Sequence, residues 1–234
     1  MHLLTPLTLL LALGTTTLAH PLHRPTHKTK SKADITITES QILTIAPTSN
    51  TCDNPPAVGE CATAKTAATY TSQSFDKYGV TSKAEQAAVL SLMAFESLDF
   101  KYNKNHFPGV AGQGSTYTPK SLINEYFANA IPARNMQSPT FNSKYASSLP
   151  SLADKLPSVA NSPADLLDLL RANEAFDFGS GAWFLTTQCS DDVRSALQKG
   201  DEAGWERYIM GCVGTSVTDE RRSYWERAVK ALSV

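Results

Sequence analysis

From Cys61 to the C-terminus, apolar residues recur every three or four positions, the spacing of helices with one face turned to a core. Residues 62–78 run without strong breakers to Gly79, a residue suited to ending a helix in the left-handed conformation. Ser82 and Glu85 have capping-box spacing and open a second helix, whose stripe of Val89, Leu92 and Met93 is continued by Glu96. Between residues 99 and 114 the periodicity gives way to aromatics, amides and glycines, which predicts an ordered loop. Ser162-Pro163-Ala-Asp165 supplies an N-cap, a first-turn proline and an acidic third position for an amphipathic helix carrying on to Phe176. Trp183-Phe184-Leu185 mark a short buried helix, and Ser190-Asp-Asp opens one that stops at Gly200. Thr218-Asp-Glu opens the last helix, with Tyr224, Trp225, Ala228, Val229 and Leu232 as its apolar face. These elements predict one mostly α domain over residues 52–234, with Trp183, Trp205 and Trp225 in the core and Arg221 and Arg222 on a solvated face. Residues 34–45 alternate apolar and polar, as a strand or an extended linker does.

The start of the chain has a different character. Residues 3–13 are an apolar run followed by Thr17-Leu-Ala19, which predicts a signal peptide over residues 1–19, cleaved near Ala19. The run is too short for a membrane span. Residues 20–51 then form a basic, Thr-rich segment expected to be flexible. The product is expected to be secreted and extracellular, with no membrane attachment and a single copy as its working state. Four cysteines follow the signal. In an oxidising compartment they pair, and of three connectivities the local ones, Cys52–Cys61 and Cys189–Cys212, are favoured. Their spacing suits neither zinc nor redox chemistry, so no metal and no cofactor is expected. Twenty-one basic against 22 acidic residues give a net charge of −1, which argues against a nucleic-acid partner held by phosphate contacts.

The candidate chemistry centres on Glu96. A carboxylate on the apolar side of a helix is unfavourable when ionised, so its pKa rises, as a general acid near neutral pH requires. Asp99 lies one turn further and offers the second carboxyl that glycoside cleavage uses. Asn103, Asn105, Gln113, Asn135 and Gln137 are amides suited to sugar hydroxyls, and Tyr102 offers a ring for a sugar face. No Gly-x-Ser-x-Gly elbow is present.

Phe95-Glu96-Ser97 followed by Asn135-Met136-Gln137 resembles the helix-terminal Glu and the Gly-Leu-Met-Gln segment of goose-type lysozymes and lytic transglycosylases. Arg221-Arg-Ser-Tyr224-Trp225 is similar to the closing helices of related chitinase-like hydrolases. The chain after Cys52 also resembles a group of secreted fungal proteins in which Asp99-Phe-Lys-Tyr-Asn103 and Arg134-Asn-Met-Gln-Ser-Pro139 recur, a likeness that implies no particular activity. In that group Gly-Gln-Gly and Arg-Asn-Met-Gln look adjacent, so residues 115–133 read as an insertion or a retained intron. The lysozyme resemblance implies a lysozyme-like helical domain stabilised by disulfides, a secreted glycoside hydrolase acting on peptidoglycan or chitin-type polysaccharide, and Glu96 as general acid. The alternative is a non-catalytic secreted glycan-binding or effector protein that keeps the hydrolase-like fold.

Overall fold

Nearly every residue of the helix Lys83–Glu96 is buried, because its run of Ala, Val, Leu and Met presents small or apolar groups on all sides. This helix, α3, is the axis of the structure, a computed structural model that describes residues 35–104 and 138–234. Before it come α1 (Glu39–Ile45) and α2 (Ala64–Tyr78). After it come α4 (Pro139–Ser147), α5 (Leu156–Val159), α6 (Pro163–Arg171), α7 (Glu174–Asp177), α8 (Gly179–Gln188), α9 (Asp191–Leu197), α10 (Glu202–Tyr208) and α11 (Asp219–Leu232). No strand occurs among the described residues, so the fold class is all-α. α11 makes the most extensive contact with α3, α1 packs on α2 and α11, and α8 lies across α2 and α3. The buried tryptophans Trp183, Trp205 and Trp225 all belong to this core.

Local chemistry sets most of the boundaries. Thr63, Ser162, Ser190 and Thr218 each accept a backbone N–H in the first turn of the helix they precede. Gly79 ends α2 at φ 67°. The helix expected to run on to Phe176 stops instead at Arg171, and Asn173 caps the separate turn α7. Ser82 makes no side-chain cap; Glu85 turns inward to Arg194 and the expected capping box does not form.

Two expectations for the N-terminal part are corrected. Residues 39–45 are a helix, neither strand nor linker, because Thr38 and Gln41 form a reciprocal capping box. The core therefore begins before Cys52: Ile37, Ile42 and Ile45 are buried, so residues 35–51 are not a flexible segment. Ile42 and Ile45 stand three apart, which suits one helix face, whereas the alternation belongs to the extended lead-in at Ile35 and Ile37. The signal peptide expected over residues 1–19, residues 20–34 and the insertion expected over residues 115–133 lie outside the described residues.

Disulfides join Cys52 to Cys61 and Cys189 to Cys212. The second ties the end of α8 to a π-helical turn, Ile209–Val213, that extends α10. α9 and α10 meet so closely that a Cβ on Gly204 would lie 2.2 Å from the Ala196 carbonyl oxygen. That atom is backbone and has little room to give. Gly204→Ala is expected to lower stability by about 1–3 kcal/mol, read as a fall in the denaturation midpoint.

Candidate functional site

The end of α3 is a Schellman motif built without glycine. Leu98 N–H donates to the Phe95 carbonyl at 3.2 Å and Asp99 N–H to the Ala94 carbonyl at 2.8 Å. Leu98, Asp99 and Phe100 have φ of 51°, 56° and 64°, three consecutive left-handed residues, each of them bearing a side chain. Such a run stores strain on the order of 1 kcal/mol per residue and persists only where the surroundings over-determine it. They do so here. Ser97 Oγ accepts the Phe100 N–H, Phe100 is buried against Phe178, and the Phe100 carbonyl accepts the Ala62 N–H.

This turn places Glu96 and Asp99 against α11. Glu96 is 5% exposed and Arg221 is 4% exposed. Arg221 Nε and Nη2 both donate to Glu96 Oε1, at 3.3 and 2.9 Å, while Nη1 donates to the Ser216 carbonyl at 3.1 Å. The guanidinium also lies over the Phe95 ring, 4.9 Å from its centroid. Asp99 Oδ1 accepts the Tyr224 hydroxyl at 2.7 Å, and Asp99 Oδ2 accepts both the N–H and the hydroxyl of Thr48. Arg227, one turn on, covers the Tyr224 ring and donates to the Ile45 carbonyl at 2.9 Å. Arg221, Tyr224 and Arg227 thus clasp α11 to the end of α3 and, through Thr48 and Ile45, to the first residues of the core.

Burial pushes the Glu96 carboxyl up to about 7, against the opposing charge and hydrogen bonds of Arg221. Burial, reinforced by the Asp99 charge, holds the Tyr224 phenol above its usual range, so it stays a donor. The expected raised pKa of Glu96 is present, but the surroundings a general acid requires are not. A narrow space lined by Ser91, Leu92, Phe95, Trp205, Ile209 and Arg221 is too small for a water molecule, and Glu96 does not line it. Glu96 is 5% exposed and bound to Arg221, and Asp99 has both oxygens engaged by Thr48 and Tyr224.

The sugar-binding set fares similarly. Tyr102 and Asn103 are buried, not displayed in a groove. Asn103 N–H donates to Glu60 Oε2 at 3.2 Å, and its Oδ1 accepts from Arg171. Asn105, Gln113, Asn135 and Gln137 lie outside the described residues. Arg221, expected on a solvated face, is the residue the sequence reading missed. A signal existed: Arg221 falls four and seven residues before Trp225 and Ala228, on the buried stripe of α11. The same arithmetic on α3 finds Glu85, which is 1% exposed and accepts from Arg194 Nε at 2.8 Å.

No family profile and no solved structure matches the chain. Among curated proteins, a Fusarium oxysporum (strain Fo5176) protein named bifunctional dioxygenase (DOX)-epoxy alcohol synthase (EAS) is 40% identical over 174 residues. The match covers 72% of this chain and 12% of that protein, so this chain spans about an eighth of the relative's length. A relative named for oxidative chemistry overturns the expectation of a glycoside hydrolase. The sealed clasp is the physical counterpart of that correction.

Proposed function

We propose that the chain is a non-catalytic, disulfide-stapled helical module, an accessory to the oxidising part of proteins such as the Fusarium relative. The carrying observation is the clasp: the two carboxylates best placed for chemistry are consumed in holding α11 to α3. The matched share of the relative, 12%, leaves ample chain elsewhere for its named activities.

The reading takes the module as exported, since both disulfides suit an oxidising compartment. It takes the module to work as one copy, without nucleic acid or membrane; no described helix is long and apolar enough to cross a bilayer. Oxygen uptake decides the matter. The isolated chain is expected to consume no O2 with the relative's substrates. Deleting the matching segment from the Fusarium protein is expected to leave its turnover within about twofold. Loss of both activities on deletion, in a protein that still folds, would contradict an accessory role.

A further inference from the structure

We propose that Cys52–Cys61 is a thiol–disulfide exchange site: a dithiol opens it reversibly in the folded protein while Cys189–Cys212 stays closed. The two disulfides differ in what surrounds the sulfurs. Cys52 and Cys61 are both half-buried, and the loop between them faces solvent, with Asp53, Asn54, Pro56, Val58 and Gly59 exposed. An attacking thiolate reaches this bond without any opening of the core. Cys189, by contrast, is 8% exposed and belongs to the core, and the half-buried Cys212 packs against that core.

The charges differ as well. The Thr51 carbonyl oxygen accepts from Lys101 Nζ at 2.6 Å and lies 3.9 Å from Cys61 Sγ. An ammonium is thereby held beside the bond, where it stabilises a thiolate leaving on Cys61 and draws in the attacking one. The carboxylates on this side are engaged. Asp53 Oδ2 accepts the Thr51 hydroxyl at 2.6 Å, and Glu60 accepts the Asn103 N–H and faces Lys104 at 3.8 Å. Around the other bond the balance is reversed. Asp191 and Asp192 follow closely on Cys189 and are exposed, and Arg207 is paired with Asp192 at 3.9 Å. Those carboxylates disfavour both an approaching and a departing thiolate.

The ends of the short loop are held without the bond. Lys101 holds Thr51, the Asn103 N–H holds Glu60, and the Ala62 N–H donates to the Phe100 carbonyl at 2.9 Å. Further back, Thr48 keeps Asp99 in place, and with it the strap from Asp99 to Tyr224. Opening is therefore local, and the two sulfurs stay near enough to close again. In the exchange, one thiolate of the dithiol attacks Cys52 Sγ. The Cys52–Cys61 bond breaks, and its electron pair leaves on Cys61 Sγ, which takes a proton. The second thiolate of the dithiol then attacks the first across the mixed disulfide and releases Cys52, which is protonated in turn. The protein disulfide is reduced by two electrons, the dithiol is oxidised to an internal disulfide, and its two protons end on Cys52 and Cys61.

The test treats the whole chain with dithiothreitol, alkylates thiols as they appear and quantifies each cysteine by peptide mass spectrometry. Cys52 and Cys61 are expected to be labelled on the order of 10-fold faster than Cys189 and Cys212. The near-ultraviolet signal of the core tryptophans is expected to stay unchanged, and the bond to re-form when oxidised glutathione replaces the dithiol. Lys101→Gln is expected to slow labelling of the first pair several-fold, and Lys101→Arg to keep it fast. Labelling of Cys189 and Cys212 first, equal rates for the two pairs, or labelling only as the near-ultraviolet signal is lost overturns the proposal. An unchanged rate in Lys101→Gln overturns it as well; should that variant not fold, the wild-type comparison decides on its own.

Discussion

Replacing Arg221 by alanine is expected to destabilise the fold by on the order of 3–5 kcal/mol at pH 8, one of the largest effects of any single substitution in the chain. The reason is asymmetric. Arg221 is 4% exposed, and its removal leaves the buried Glu96 carboxylate without its counter-charge. An isolated buried carboxylate is far less favourable than the pair, whereas exchanging both partners for apolar groups of similar volume is often neutral. Arg221→Met combined with Glu96→Leu is therefore expected to recover most of the loss. The single variant also loses the Arg221 charge and hydrogen bonds that hold the Glu96 carboxyl down, so that carboxyl moves above about 7. Its folded value then exceeds the unfolded one by more than in the wild type. The wild type loses stability up to about pH 7 and then levels; the variant continues to fall above it, and the difference narrows in acid, where Glu96 is neutral in both and the variant lacks only the Arg221 contacts with Ser216 and Phe95. Urea denaturation at pH 5 and pH 8 tests this. Equal losses at the two values would show that Arg221 acts through packing on Phe95 alone.

The helices were legible because capping and periodicity are local signals. Thr218, Ser162 and Gly79 act through atoms only a few residues away, and the structure places each at the end of a helix. The buried carboxylate was legible as well, since Glu96 continues the stripe of Val89, Leu92 and Met93. What could not be read was its partner, which lies 125 residues later in sequence. Periodicity says which face of a helix is buried but not what it meets. A stripe residue bearing a charge implies a counter-charge, and Arg221 was the residue to find by running the same spacing test on α11. The inference from a raised pKa to catalysis failed for a related reason. Desolvation alone raises a carboxyl whether the surroundings are a cleft or a sealed core, and only the space beside it distinguishes the two. The left-handed run after α3 had no sequence signal at all, because Leu98, Asp99 and Phe100 are held there by Ser97, Ala62 and Thr48 and not by glycine. α1 was missed because its lead-in alternates, and that pattern outweighed the Thr38–Gln41 box.

Removing the Cys189–Cys212 bond by changing both residues to alanine is expected to lower stability by about 3–4 kcal/mol, more than the roughly 2.5–3 kcal/mol expected for Cys52–Cys61. The ordering follows from sequence separations of 23 and 9, since the longer loop restricts the unfolded chain more. The folded state points the same way. The longer loop contains α9, α10 and the turn Ile209–Val213, and brings Trp205, Tyr208 and Ile209 into the core. Trp205 stacks on Trp225 of α11 with ring centroids 5.0 Å apart, and Arg222 bridges α11 to Glu202 and Glu206. Freed from its staple, this segment still has those contacts, so the variant is expected to fold with the Trp205–Trp225 near-ultraviolet signal intact in water. The two losses are compared by urea denaturation, each against the wild type. The shorter loop has its own braces, because Lys101 Nζ donates to the Thr51 carbonyl and Glu60 accepts from Asn103. If cutting Cys52–Cys61 were the more damaging change, chain entropy would not be the main contribution of these bonds. The 52–61 loop would instead be bracing the strained turn at Leu98–Phe100, on which the Asp99 strap depends.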